Sequence, residues 1–172
     1  LTLLKDIKEV QRERLTAYAK IKSTAQYHEG SVWDFATKAD LAFPCATQNE
    51  INQKQAEQIV KNGVKVVAEG ANMPCNAEAV DCFLENAIYY CPGKAANAGG
   101  VAVSALEMAQ NSQRLSWTKE EVNEKLEKIM RTIYRSCRDT AKEYGAGNNF
   151  MLGANIAGFE KVAKAMIAQG LV

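Results

Sequence analysis

Histidine is nearly missing from this chain: His28 is the single one among 172 residues. Five cysteines (Cys45, Cys75, Cys82, Cys91, Cys137) stand at scattered positions with no C-x-x-C pair. With so few nitrogen ligands and no paired thiols, a zinc site is not expected. Unpaired cysteines of this kind read as reduced thiols, which suits a cytoplasmic protein. An excess of charge of one sign is missing too. The formal net charge is +1, so nothing electrostatic calls for nucleic acid or an anionic membrane surface. No run of about 18 apolar residues exists, which removes a membrane-spanning helix from consideration. There is no G-x-G-x-x-G opening a strand–helix unit, so the usual pyrophosphate turn of a dinucleotide fold is absent from this stretch. No Ser/His/Asp set is apparent, and there is neither an internal repeat nor a low-complexity linker.

What remains is an ordinary globular composition, 47% hydrophobic and 24% charged, long enough for one substantial core or part of a larger domain. Leu1 opens directly inside a helical pattern with no signal-peptide pattern before it, which suggests a piece of a longer chain. Leu4, Ile7, Val10, Leu15 and Tyr18 predict an amphipathic helix over 3–20. Ala25 to His28 reads as a short strand closed by a turn at Glu29-Gly30-Ser31. Ala39 to Phe43, stopped by Pro44, reads as a parallel strand buried on both faces.

A helix is then expected from about Glu50 to Asn62, ended by Gly63, followed by a strand over Val64 to Ala68. Asn76 is a suitable N-cap for a helix through Leu84, and Ile88 to Tyr90 reads as a third strand. Strand–loop–helix repeated with short connections argues for a parallel α/β sheet. Beyond Pro92 and Gly93 the chain passes the pair Gly99-Gly100 and turns helical to about Asn111. After that no strand appears. Thr118 and Glu121 form a capping box for a long helix marked by Val122, Leu126, Ile129, Ile133, Cys137, Ala141 and Tyr144 and ended by Gly145. Ile156, Phe159, Val162, Ala163 and Met166 mark a terminal helix closed by Gly170. The Lys/Glu-dense run from Lys119 to Lys128 is a solvated surface.

In an open parallel sheet, ligands bind outside the carboxyl ends of the strands. Here those ends are Pro44 to Glu50, Glu69 to Pro74 and Cys91 to Gly100. All three are rich in small residues and in amide or hydroxyl groups, a composition that suits an uncharged amide ring and ribose hydroxyls better than a metal. Gly99 and Gly100 lack a Cβ and permit close approach of a ligand, and a helix starting there presents unpaired N–H groups, with Ser104 one turn on. Glu69 and Glu107 fit surface or loop salt bridges more simply than acid–base roles. Cys45 and Cys91, beside the loops, are expected to be small buried hydrophobes.

The motifs Pro44-Cys-Ala-Thr-Gln-Asn-Glu50, Glu69-Gly-Ala-Asn-Met-Pro74, Gly93-Lys-Ala-Ala-Asn-Ala-Gly-Gly-Val101 with Ser104, Glu107-Met-Ala-Gln-Asn111 and Gly153-Ala-Asn-Ile-Ala-Gly-Phe159 resemble hexameric-type glutamate dehydrogenase, along nearly the whole chain. The resemblance implies roughly the last two-fifths of such an enzyme: an incomplete Rossmann-like parallel sheet followed by C-terminal helices. Residues 1–112 would be the C-terminal part of the dinucleotide-binding domain, and 113–172 a helical segment packing back on it. It further implies NADP rather than NAD as cofactor, L-glutamate or 2-oxoglutarate plus ammonia as substrates, and a homohexamer at full length. Carried over by resemblance, Ala46, Thr47, Asn72 and Asn97 line the cofactor, while Gly100, Val101 and Ser104 meet the glutamate side chain. Ser104 would bond the γ-carboxylate. The catalytic lysine and aspartate would lie upstream, so the piece alone is expected to be inactive, and its bared sheet edge invites pairing with another chain. A non-catalytic binding module, or a dehydrogenase of leucine or phenylalanine, are the competing readings. A buried Ser104 hydroxyl argues against an apolar side-chain pocket.

Overall fold

The computed structural model describes residues 1–170 and divides the chain into two compact units, one of Leu1–Phe35 and one beginning at Ala36. In the first unit, helix α1 (Thr2–Lys5) runs into a π-helical turn (Asp6–Val10), and α2 spans Thr16–Ile21. The single helix expected over 3–20 is therefore broken. Its apolar spacing shows why: the step from Val10 to Leu15 is five residues, off the helical period. The chain uses that gap to turn. Arg12 takes a left-handed φ of 56°, and the Gln11 N–H reaches back to Asp6 O at 2.9 Å. Ala25 to His28 forms no strand either. A lone extended segment has no ladder to satisfy its backbone, and here the Ala25 N–H closes a turn on Lys22 O. The exposed His28 ring lies 4.8 Å from that of Phe35, just past a 3-10 turn at Val32–Asp34.

The second unit holds a three-stranded parallel sheet in the order β1 (Leu41–Ala42), β2 (Val66–Ala68), β3 (Tyr89–Cys91). Helices α3 (Gln53–Lys61) and α4 (Ala77–Glu85) supply the two crossovers. That strand–helix rhythm was legible in the sequence. In register, Ala42, Val67 and Tyr90 lie side by side and are all buried. Phe83 of α4 stacks against Tyr90 at 6.1 Å, so α4 covers this face, and α3 packs on α4.

The opposite face carries Leu41, Val66 and Tyr89 and is covered only toward β3, where Phe150 stacks on Tyr89 at 6.2 Å. Leu41 and Phe43 are 52% and 57% exposed. The expectation of a β1 buried on both faces is thus corrected: only Ala42 and Pro44 are inside. β1 stands at the edge of the sheet, beyond the reach of the helix that covers β3.

Local sequence signals place the helices well. Asn52 caps α3 in a reciprocal capping box with Gln55, three residues later than expected because Ile51 is drawn into a bridge with Cys75. Asn76 caps α4 through the Ala79 N–H, and Gly63 follows α3 at φ 80°. After β3 the chain does not run on as a loop. Pro92 accepts from the Ala95 and Ala96 N–H groups, giving a helical turn α5 (Gly93–Ala96) before α6 (Gly99–Gln113). Thr118 and Glu121 form the expected capping box of α7 (Lys119–Glu143). Gly145 at φ 71° leads to α8 (Phe150–Gln169).

α7 and α8 lie against each other so closely that a Cβ on Gly153 would stand 2.0 Å from the Cys137 carbonyl oxygen. Gly153 is therefore fixed by contact, not by turn geometry. Among the described residues no helix is long and apolar enough to cross a membrane, and no cluster of three or more metal-ligating side chains occurs.

Candidate functional site at the carboxyl edge of the sheet

The three strand-end loops lie together, joined by their own backbone. The N–H groups of Gly70 and Ala71 both donate to Pro44 O, at 2.9 and 3.0 Å, which ties the loop after β2 to the loop after β1. That approach leaves no room at Gly70: a Cβ there would sit 2.4 Å from Cys45 Sγ. Farther along the same pair, the Asn49 N–H bonds Met73 O and the Ile51 N–H bonds Pro74 O. Ala46 is held by its N–H to Glu50 Oε1 at 2.9 Å, and Thr47 is exposed beside it. Cys45 is exposed as well, which corrects its expected burial.

The loops after β2 and β3 are joined by side chains. Glu69, at the end of β2, is only 3% exposed. Its Oε2 accepts the Gly93 N–H at 2.6 Å and its Oε1 the Cys75 N–H at 3.3 Å. The Tyr90 hydroxyl and Cys75 thiol lie within electrostatic reach of the same carboxylate. Burial, and secondarily this carboxylate, raise the pKa of both groups far above their ordinary values, so each stays protonated. A buried carboxylate is costly unless its oxygens are met, and here two backbone N–H groups, one on each oxygen, meet them without a cation. None of the four ion pairs among the described residues involves Glu69. It is neither a salt-bridge residue nor an acid–base group open to solvent.

Asn97 follows one turn later, its N–H on Gly93 O at 2.9 Å. Its Nδ2 donates to Ala71 O at 3.1 Å and to Asn72 Oδ1 at 2.8 Å. Asn72 and Asn97, 25 residues apart in the chain, thus form one amide pair. Their remaining polar atoms, Asn97 Oδ1 and Asn72 Nδ2, supply one acceptor and one donor.

Gly100, Val101 and Ser104 lie on the exposed surface of the first turns of α6. The Gly100 N–H is used by Asn97 O at 3.4 Å, because α5 feeds almost directly into α6. The N-terminus of α6 consequently offers fewer free donors than a helix entered from extended chain. Ser104 Oγ donates to Gly100 O at 3.3 Å, leaving its lone pairs to accept. Glu107 is exposed on the same helix.

Behind this surface, α5, α7, the start of α8 and the ends of β2 and β3 line a partly open apolar pocket of about 160 Å³. Cys91 and Cys137 both line it, and burial raises the pKa of each thiol. Lys94, on the outer side of α5, reaches Asn155 Oδ1 of α8 at 2.7 Å. Lys94 and Asn155 were inside motifs legible in the sequence, but their pairing across 61 residues was not.

These loops and helices match a known pattern along the whole described chain. The profile of the Glutamate/Leucine/Phenylalanine/Valine dehydrogenase family matches residues 1–170. The chain belongs to this family. The NAD(P)-specific glutamate dehydrogenase of Xylanibacter ruminicola is 49% identical over 171 residues, which are 99% of this chain and 38% of that protein. The NADP-specific glutamate dehydrogenase of Giardia intestinalis is 51% identical over 168 residues, 96% of this chain and 37% of that one. Among solved structures, Plasmodium falciparum glutamate dehydrogenase 2 superposes with a TM-score of 0.90 at 49% identity, covering 98% of this chain and 37% of its own. The chain therefore has the Rossmann-like α/β fold of its family, and spans under two-fifths of the length of the relatives it matches.

Proposed function

We propose that this chain forms the nicotinamide-facing part of an NAD(P)-dependent glutamate dehydrogenase subunit, an oxidoreductase interconverting L-glutamate with 2-oxoglutarate and ammonia. The observation that carries the reading is the Asn72–Asn97 pair at the carboxyl edge of the sheet, in a chain about half identical to proteins named glutamate dehydrogenases. In this reading residues 1–112 belong to the dinucleotide-binding domain and 113–172 to a C-terminal helical segment; its last two residues lie outside the described ones. The complete subunit assembles as a homohexamer in the cytoplasm.

The residues present fit the cofactor by the chemistry of their donor set. A carboxamide or a ribose diol needs donors and acceptors without charge, and the amide pair presents one of each. The nicotinamide, when bound, supplies the hydride acceptor and donor. Ala46 and Thr47 bound the cofactor on the β1 side, and Asn72 and Asn97 hold the nicotinamide end. NADP is the favoured form, in keeping with the NADP-specific and NAD(P)-specific names of the relatives. Gly100 and Val101 form the floor for the substrate side chain, and the Ser104 hydroxyl hydrogen-bonds its distal carboxylate. No residue here serves as general acid or base. Those groups come from the rest of the subunit, and the 172-residue chain alone does not turn over glutamate. Any self-association of the chain alone runs through the open β1 edge.

Ser104→Ala in the complete subunit tests the substrate assignment. Losing one hydrogen bond to a charged group raises KM for glutamate and 2-oxoglutarate by about ten- to a hundredfold, with dinucleotide affinity changed little. An equal loss for substrate and cofactor contradicts the assignment.

A further inference from the structure

The loops that carry Asn72 and Asn97 are bridged by one buried side chain, Glu69. From the geometry we infer that Glu69 is a positioning residue for the nicotinamide-facing amide pair, acting through Gly93 and Asn97 without touching the cofactor. This rests on the function proposed above, and it adds a role for Glu69 other than the loop salt bridge expected of it.

The bonds form one continuous path. Glu69 Oε2 holds the Gly93 N–H at 2.6 Å. Gly93 O holds the Asn97 N–H at 2.9 Å, which fixes the α5 turn. Asn97 Nδ2 then returns to Ala71 O and Asn72 Oδ1, and the Ala71 N–H is tied to Pro44 O. One carboxylate at the end of the middle strand thus bridges the loops after β2 and β3, and backbone bonds to Pro44 O join the loop after β1 to them.

A carboxylate suits this point because both groups that bond it are backbone donors. The Gly93 and Cys75 N–H groups cannot turn round to accept. Glutamine, of nearly the same shape, has one acceptor oxygen and a donor NH₂. In either orientation its NH₂ is set against a backbone N–H in a buried site, and the joint between the β2 and β3 loops must shift to relieve it. The space is otherwise closed: a Cβ on Gly93 would stand 3.0 Å from Ala71 O and 3.1 Å from Glu69 Oε2. Gly93→Ala therefore pries the same joint apart while leaving the carboxylate in place.

Two measurements test this. In the 172-residue chain, Glu69→Gln is expected to move the Gly93 backbone amide resonance and the Asn97 side-chain NH₂ resonances in ¹⁵N NMR. Unmoved Asn97 resonances would overturn the inference, whether or not a cofactor binds. In the complete subunit, Glu69→Gln is expected to weaken NADPH binding about tenfold, the size of one misplaced hydrogen bond. In an Asn97→Ala background the same change is expected to cost less than about twofold, since the residue it positions is gone. Loss of thermal stability would persist in both backgrounds, which separates positioning from mere support of the fold. An equal fold-loss of affinity in the two backgrounds would overturn the inference. Should Glu69→Gln fail to fold, Gly93→Ala is carried through the same pair of backgrounds with the same expectations. A wild-type subunit that binds no dinucleotide refutes the proposed function instead, and leaves the resonance measurement to decide the positioning.

Discussion

Helix α8 contains a matched pair of glycines whose replacement should act in opposite directions. At Gly153 an added methyl carbon would meet Cys137 O at 2.0 Å, Ala141 Cβ at 2.9 Å and Cys137 C at 3.0 Å. Two of these atoms are backbone of α7, so no rotamer change relieves the contact and the two helices must separate. Overpacking of this kind costs about 1–3 kcal/mol, and a contact with backbone belongs at the upper end. Alanine recovers about 1 kcal/mol of helix propensity over glycine, so Gly153→Ala should lose roughly 2 kcal/mol net. In a chain of this size that lowers Tm by about 4–8 °C. Gly158 lies in the same helix with nothing within 4 Å of its added Cβ. There only the propensity gain remains, and Gly158→Ala should raise Tm by about 2–4 °C. Thermal unfolding of the three proteins followed by circular dichroism reads both shifts. If Gly153→Ala is as stable as the parent, or both variants move in the same direction, the close α7–α8 contact is wrong.

Two other outcomes follow from the buried donors and thiols. Cys75 and Tyr90 have folded pKa values raised by burial and by Glu69, so their protonated forms stabilise the fold fully below the ordinary values of 9.0 and 10.0. That contribution is lost as pH rises above them, because unfolding then releases protons. Tm should therefore fall between about pH 9 and 11, and more shallowly in a Cys75→Ser, Tyr90→Phe variant; parallel curves would refute this. Among the cysteines, exposed Cys45 should react first with a thiol reagent. Buried Cys75, Cys82 and Cys137 should react only on unfolding, and mass mapping of the first labelled site decides it.

The helices were legible wherever spacing and caps agreed. Asn76, Thr118 with Glu121, and the glycines after α3 and α7 are local signals, and each acts within one turn of chain. The first helix failed where its spacing failed, between Val10 and Leu15. β1 was misjudged because an apolar run reports the chemistry of a segment and not how many layers cover it; Leu41 and Phe43 stand outside. The three loops could be brought to one edge from topology alone. How they are held together could not. Glu69 with Gly93, Asn97 with Ala71 and Asn72, and Lys94 with Asn155 are joined across 24 to 61 residues. No periodicity marks such pairs. The two backbone N–H groups that meet Glu69 come from Cys75 and Gly93, and they converge on it only once β3 is laid beside β2.

The central claim, that the Asn72–Asn97 edge holds the nicotinamide end of a dinucleotide, is tested most directly by comparing two ligands. Fluorescence or calorimetric titration of the complete subunit with NADPH and with 2′-phospho-AMP, in the parent and in Asn97→Ala, separates the two ends of the cofactor. We expect Asn97→Ala to weaken NADPH about tenfold, one to two hydrogen bonds' worth, and to leave the adenosine fragment unchanged. Equal weakening of both ligands, or of neither, would contradict the account.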